Sequence, residues 1–181
     1  MYTERNGYEM GDQGTRATES SVPQFPNSPI PQDRITELKR QAGYHAADWV
    51  RSGTIVGLGH GSTAIHAIHR IAHRLRAGDL RDVLGVPCSR QVERVARELG
   101  IPLTTLDEHP VVDLTIDGAD EVDPALDVIK GGGGALLHEK IVAAASARMI
   151  VVVDASKVVD GLGAFPLPVE VIPFAEAPVT R

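Results

Sequence analysis

Three polar clusters in the sequence each follow a short apolar run. Residues 59–63 (GHGST) follow TIVGL, residues 117–120 (DGAD) follow VDLTI, and residues 154–157 (DASK) follow MIVVV. A run without polar alternation, such as TIVGL, is typical of a parallel strand that is covered on both faces. Ligands of parallel sheets bind outside the carboxyl ends of the strands, so a single crevice could gather all three clusters.

The first cluster has the composition of a phosphate site. It places two glycines and then two hydroxyls, Ser62 and Thr63, at the start of a predicted helix, where free backbone N–H groups and the helix dipole favour an anion. A dinucleotide fingerprint would need glycine at position 62 and an acidic residue after the second strand, and a nucleotide P-loop would need a following lysine. The same residues could also form a tight turn capped by Ser62.

The second cluster and the segment after it carry groups for acid–base chemistry. Asp117 and Asp120 could exchange protons, bind sugar hydroxyls or form an Asx turn with Gly118. Lys130 precedes four glycines, a loop that lets N–H groups approach an oxyanion beside a cation, although a merely flexible loop has the same pattern. Glu139 could be a general base or a favourable partner of a helix dipole.

A histidine run on the second predicted helix is interpreted as a solvated face. His66, His69 and His73 have helical spacing, but Arg70 and Arg74 share their face and no carboxylate accompanies them. We therefore predict no metal site, and we expect no cofactor.

Composition limits the possible partners and compartments. The 181 residues are 43% apolar and carry 24 acidic against 18 basic side chains, a net charge of −6, so no general affinity for nucleic acid or anionic membranes is expected. The single cysteine, Cys88, excludes an intramolecular disulfide. No apolar signal segment or membrane span is evident. We expect a cytoplasmic protein.

The order of predicted elements indicates the fold. Apolar positions share one face of a first helix that Gly53 would end: Ile35, Leu38, Ala42, Ala46 and Trp49. Strands are predicted over residues 54–58, 82–87, 101–106, 111–116, 126–129 and 149–153. Helices separate most of them, one capped by Ser89 and one over residues 135–147. Short connections between alternating strands and helices predict an α/β, doubly wound, mostly parallel Rossmann-like sheet over residues 33–163. Residues 1–32 lack leucine and are rich in proline and glycine, so we expect a disordered tail.

Seven segments together closely resemble A-type ribose-5-phosphate isomerase over about residues 35–180. In order they are VGLGHGST, LGVPCSRQ, TLDEHP, IDGADEVD, IKGGGGALLHEKI, VVVDASKVVDGLG and PLPVEVIPFA. The resemblance implies reversible conversion of D-ribose 5-phosphate to D-ribulose 5-phosphate through an enediolate, in the non-oxidative pentose phosphate pathway. It also implies a homodimer or homotetramer.

The resemblance also assigns roles to residues. Glu139 would be the proton acceptor, Asp117 would handle hydroxyl protons during ring opening, and Lys130 would stabilise the enediolate. Lys39 would help to hold the phosphate, and Lys157 would be a further substrate contact. The loops expected to bind substrate contain His60, Gly61, Ser62, Thr63, Asp117, Gly118, Ala119, Asp120, Lys130, Gly131, Gly132 and Gly133.

Two departures from the family pattern keep alternatives open. His60 stands where the family usually has threonine, and the family normally continues well past Arg181. We therefore expect residues 164–181 to begin a small α+β domain, with a strand in PLPVEVIPFA. A catalytically silent sugar-phosphate sensor is the main alternative, and a nicotinamide-dependent enzyme is a weaker one.

Overall fold

The computed structural model describes residues 31–171, 174 and 176–179. The helices are α1 Gln32–Ala47, α2 Ala64–Ala77, α3 Arg90–Glu98, α4 Leu136–Ala144 and the short α5 Glu176–Val179. The strands are β1 Ile55–Leu58, β2 Leu84–Pro87, β3 Leu114–Asp117, β4 Glu121–Val122, β5 Val128–Ile129 and β6 Met149–Val151, and a 3₁₀ turn spans Ala155–Lys157. The predicted tail lies outside the described residues except for Pro31 and Gln32, and Gln32 already begins α1. No helix in the described part is both long and apolar enough to cross a membrane.

A four-stranded parallel sheet is the centre of the fold. Its order is β2-β1-β3-β6, and β4 and β5 form a separate antiparallel hairpin. This confirms the predicted Rossmann-like α/β fold. Because β1, β3 and β6 are consecutive neighbours, the three polar clusters that follow them meet at one edge of the sheet.

The core is aliphatic. Val56 and Leu58 of β1 and Ile68 and Ile71 of α2 are all buried. A Cβ on Gly57 would overlap the Thr115 side chain and would lie 2.8 Å from the Val142 side chain of α4. A glycine in β1 therefore lets α4 pack closely on the sheet.

The first helix is shorter than predicted. It ends at Ala47, well before Gly53, and Ala46 is buried, whereas Trp49 lies beyond the helix with 51% of its surface exposed. The Arg148 guanidinium lies 5.5 Å from the Trp49 ring centroid, so the ring covers a cation at the surface instead of filling the core.

The prediction of a strand over residues 101–106 is wrong. Leu103 makes only an isolated bridge to Gly85, and Pro102 has no N–H to extend a ladder. Immediately afterwards the Thr104 hydroxyl donates a hydrogen bond to Glu108, which turns the chain away from the sheet.

The strand predicted in PLPVEVIPFA is absent over residues 166–171, while residues 172, 173 and 175 are outside the described part.

Candidate active site

A cavity of about 250 Å³ opens at the carboxyl edge of the sheet. Thirteen of the residues predicted to form the site line it: Lys39, His60, Gly61, Ser62, Thr63, Gly118, Ala119, Asp120, Lys130, Gly131, Gly133, Glu139 and Lys157. The two other predicted residues do not line it. Asp117 lies buried beneath it, and Gly132 lies beside it with its N–H donating to Asp120 Oδ2 at 2.8 Å.

Asp117 joins the loops that follow β1 and β3. Its Oδ1 accepts the backbone N–H of His60 at 2.9 Å and that of Gly118 at 2.8 Å. A side chain at Gly59 would overlap Asp117, so glycine is required for this close approach. The carboxylate thereby holds both loops in place at the floor of the cavity.

Lys130 lies between two buried carboxylates. Its Nζ is 2.9 Å from Asp117 Oδ2 and 3.4 Å from Glu139 Oε2, and it donates a hydrogen bond to the Gly118 carbonyl at 2.6 Å. The contact with Asp117 is an ion pair without hydrogen-bond geometry, because Asp117 Oδ2 has no hydrogen-bond partner among the described residues. The ammonium is thus attracted to both acids and is fixed by a backbone carbonyl.

The environment of Glu139 prepares it to exchange a proton. Burial, and then the nearby charge of Asp117, raise the pKa of Glu139 above its ordinary value of 4.5, while Lys130 partly opposes the shift. A carboxylate whose pKa is raised toward neutral pH is a better general base than an exposed one. Glu139 follows the N-terminus of α4, which places it on the wall of the cavity.

Cys88, Asp117 and Glu139 form a group of buried side chains close to Lys130. Atoms of Cys88, Asp117 and Glu139 that could each bind a metal lie within 4.8 Å of one another. Burial raises the pKa of the Cys88 thiol, which disfavours the thiolate form needed to bind a metal. The ammonium of Lys130 already lies against both carboxylates, so the arrangement favours proton transfer over cation binding.

The part of the cavity lining around Lys39 carries cations and hydroxyls. Lys39 Nζ donates to Ser62 Oγ at 3.0 Å and lies 3.6 Å from Asp154 Oδ2. Burial alone would raise the pKa of Asp154, but hydrogen bonds from Ser156 and the charge of Lys39 lower it below its ordinary value. The Ser62 hydroxyl therefore contacts a lysine, and Thr63 occupies the N-cap position of α2 without a side-chain cap among the described residues.

Three residues near the cavity were not predicted as part of the site. The buried Glu121 accepts the backbone N–H groups of Gly163 and Phe165, which holds the Phe165 ring against Gly132. Asp154, which belongs to the polar cluster of residues 154–157 but had no role of its own assigned, pairs with Lys39. Ser89, predicted only as a helix cap, does accept the Val92 N–H but also contacts His60.

The chain matches the family model described as ribose 5-phosphate isomerase A (phosphoriboisomerase A) over residues 84–181. It is 58% identical over 145 residues to a ribose-5-phosphate isomerase A from Desulfatibacillum aliphaticivorans, a match that covers 80% of this chain and 63% of that relative. The chain therefore belongs to the ribose-5-phosphate isomerase A family.

Solved structures agree with this assignment. The ribose 5-phosphate isomerase A from Methanocaldococcus jannaschii matches with a TM-score of 0.76 and 44% identity, over 80% of this chain and 64% of that one. A D-ribose-5-phosphate isomerase in complex with phospho-erythronic acid matches with a TM-score of 0.76 and 41% identity, over 79% of this chain and 63% of that one. In these matches the chain spans less than two thirds of the length of its relatives.

Proposed function

We propose that this protein interconverts D-ribose 5-phosphate and D-ribulose 5-phosphate, a step of the non-oxidative pentose phosphate pathway. The observation that carries the proposal is the position of Glu139, a buried carboxylate with a raised pKa on the cavity wall, 3.4 Å from the ammonium of Lys130. Family membership and the complex of a related isomerase with phospho-erythronic acid support a sugar phosphate as the ligand.

Aldose–ketose isomerisation needs one base that moves a proton between neighbouring carbons. Glu139 removes the proton from C2 of the open-chain aldose, which leaves an enediolate. The hydroxyl proton of O2 passes to O1, and Glu139 returns its own proton to C1, which gives the ketose. Lys130 and the N–H groups of the glycine loop stabilise the negative charge on the enediolate oxygen. No metal or other cofactor is required by this proton balance.

The phosphate binds at the other end of the cavity in this proposal. Lys39 supplies a positive charge, while Ser62 and Thr63 supply hydroxyl donors beside the N-terminus of α2. Lys157 adds a second cation on the same side, and Asp120 is placed to orient sugar hydroxyls. Fixing the phosphate in this way would hold C1 and C2 within reach of Glu139.

The position of Asp117 changes its proposed role. Proton exchange with the ring oxygen would require contact with substrate, but Asp117 lies beneath Lys130, only 1% exposed, and its Oδ1 is occupied by two N–H groups. We assign Asp117 as a positioning residue that orients Lys130 and the two adjoining loops.

The test is Glu139→Gln, which keeps the shape of the side chain and removes the base. We expect kcat for ribulose 5-phosphate formation to fall by about 10²- to 10⁴-fold with little change in substrate binding. Glu98→Gln on the exposed side of α3 is the matched control and should keep full activity. Near-normal turnover by Glu139→Gln would overturn the assignment of Glu139 as the base. Absence of turnover by the wild type would overturn the proposed activity, and binding without turnover would favour the sensor alternative. The assay is repeated with a chelator, where loss of activity would contradict a metal-free reaction.

We also propose that the protein forms a homodimer or homotetramer in the cytoplasm. Exposed apolar side chains of α4 and of residues 167–169 support self-association: Leu137, Ile141, Leu167 and Val169. Light scattering of the purified protein would test the assembly, and cell fractionation would test the location.

A further inference from the structure

His60 is fixed in the cavity at both its backbone and its ring. Its backbone N–H donates to Asp117 Oδ1 at 2.9 Å, and its ring Nδ1 lies 3.1 Å from Ser89 Oγ. Ser89 is itself held, because its Oγ accepts the Val92 N–H at 3.1 Å as the cap of α3. The half-buried ring is therefore oriented by a residue that belongs to a different helix.

The contacts of Ser89 favour one position for the proton on the His60 ring. A hydroxyl has one proton to donate, and Ser89 Oγ already accepts the Val92 N–H. Within the described part of the chain, the only acceptor in hydrogen-bond distance of this hydroxyl is His60 Nδ1. When Ser89 donates to Nδ1, the neutral ring carries its proton on Nε2, which then serves as a donor.

The Nε2 edge of the ring faces the glycine loop. A Cβ built on Gly133 would lie 3.2 Å from His60 Cδ2 and 3.5 Å from its Nε2, so this edge of the ring lies against the loop that follows Lys130. The Lys39–Ser62 contact, which marks the proposed phosphate end, involves neither the His60 ring nor the glycine loop. The Nε2 donor is thus placed to meet a sugar oxygen instead of the phosphate.

We propose that His60 is a specificity-determining residue whose Nε2–H donates a hydrogen bond to an oxygen of the sugar, and that Ser89 is a positioning residue that acts through His60. The identification of the ligand as a sugar phosphate rests on the proposed function, whereas the position of the proton on the His60 ring does not. The pair would select ligands that carry an acceptor oxygen between the phosphate and the reacting carbons.

Binding of two ligands separates this role from a general structural one. Affinity for ribose 5-phosphate and for inorganic phosphate is measured by calorimetry in a Glu139→Gln background, so that substrate is not consumed. His60→Phe keeps the ring without nitrogens, and we expect it to weaken ribose 5-phosphate binding by about 10-fold or more and to leave phosphate binding unchanged. His60→Gln, which retains a donor near the Nε2 position, should restore most of the affinity.

Two outcomes of the binding experiment would overturn the proposal. Equal affinity of His60→Phe and its parent for ribose 5-phosphate would exclude the hydrogen bond. An equal loss for both ligands would place His60 in the phosphate site instead. A protein that binds ribose 5-phosphate through His60 but does not turn it over when Glu139 is present would refute the proposed function and leave this inference standing.

The role of Ser89 is tested by the ¹⁵N spectrum of His60, assigned by comparison with His60→Phe. We expect the proton on Nε2 in the wild type and in Ser89→Thr, which keeps the hydroxyl, and a mixture of the two neutral forms in Ser89→Ala. Ser89→Ala should also bind ribose 5-phosphate several-fold more weakly, with unchanged phosphate binding, at a temperature where circular dichroism shows it folded. A wild-type ring with its proton on Nδ1, or an unchanged spectrum in Ser89→Ala, would refute the proposed role of Ser89.

Discussion

The two ends of the cavity use charge in different ways. At the Lys130 end, the side chains of Lys130, Asp117 and Glu139 are 10%, 1% and 6% exposed, and the ammonium lies 2.9 Å and 3.4 Å from the two carboxylates. At the Lys39 end, the side chains of Lys39 and Asp154 are 21% and 26% exposed and lie 3.6 Å apart. Buried charges interact strongly and do not need to reorganise, whereas exposed charges are screened by water and can change partners. The first end is suited to lowering a reaction barrier and the second to binding and releasing an anion.

Among the variants that test this contrast between the two ends of the cavity, Lys130→Met is expected to have the largest effect. The variant leaves Asp117 and Glu139 as neighbouring buried acids without a cation and removes stabilisation of the enediolate oxygen. We expect kcat to fall by about 10²- to 10³-fold, the usual effect of losing one electrostatic stabiliser. Lys140→Met, on the exposed face of the same helix as Glu139, is the matched control. If kcat stays within a few-fold of the wild type while circular dichroism shows both proteins folded, the buried cation has no catalytic role.

A smaller effect, on KM instead of kcat, is expected at the Lys39 end. Lys39→Met removes a phosphate contact whose interaction is the same in the ground state and the transition state, so KM should rise about 10-fold while kcat changes little. Steady-state kinetics with ribose 5-phosphate measures both constants, with Lys140→Met again as the control. A fall in kcat comparable to that of Lys130→Met would remove the distinction between the two ends.

The smallest effect concerns stability. Because burial raises the pKa of Glu139, the folded protein holds this proton more tightly than the unfolded chain, and the resulting stability is lost as the pH rises through the raised pKa. Glutamine does not ionise, so Glu139→Gln should have a Tm a few degrees above the wild type at neutral pH and an equal Tm below the ordinary glutamate range. Thermal unfolding over this pH range measures the difference. A variant less stable than the wild type at every pH would show that Glu139 stabilises the fold in its charged form.

The location of the site could be predicted from the sequence because it depends on local patterns. The apolar runs TIVGL, VDLTI and MIVVV indicated parallel strands, and the polar residues after them had to lie at the same edge once those strands became neighbours. The prediction for residues 101–106 failed because an apolar run of suitable length does not reveal where a strand loses its partner. Pro102 and the Thr104–Glu108 contact decided that outcome.

The detailed chemistry could not be predicted because it depends on distances between remote residues. Sequence patterns suggested that Asp117 would contact substrate, but its depth beneath Lys130 follows from how the Gly59 backbone packs against it. Nothing in the local sequence indicated that Glu121 would bind the backbone of residues 163 and 165, or that Ser89 would contact His60 as well as cap its helix. A residue's type restricts its possible partners, and only the packed structure selects among them.

The three contacts of Asp117 have a consequence for engineering the protein. One carboxylate accepts the N–H groups of two loops and pairs with Lys130, so a change at this position alters the loop geometry, the charge balance and the neighbour of Glu139 in a single step. Even Asp117→Asn, which keeps an acceptor oxygen for both N–H groups, loses the ion pair with Lys130 and so changes the charge beside Glu139. Libraries for new sugar phosphates should therefore keep Asp117 and Lys39 constant and vary His60, the residue proposed to select among sugars.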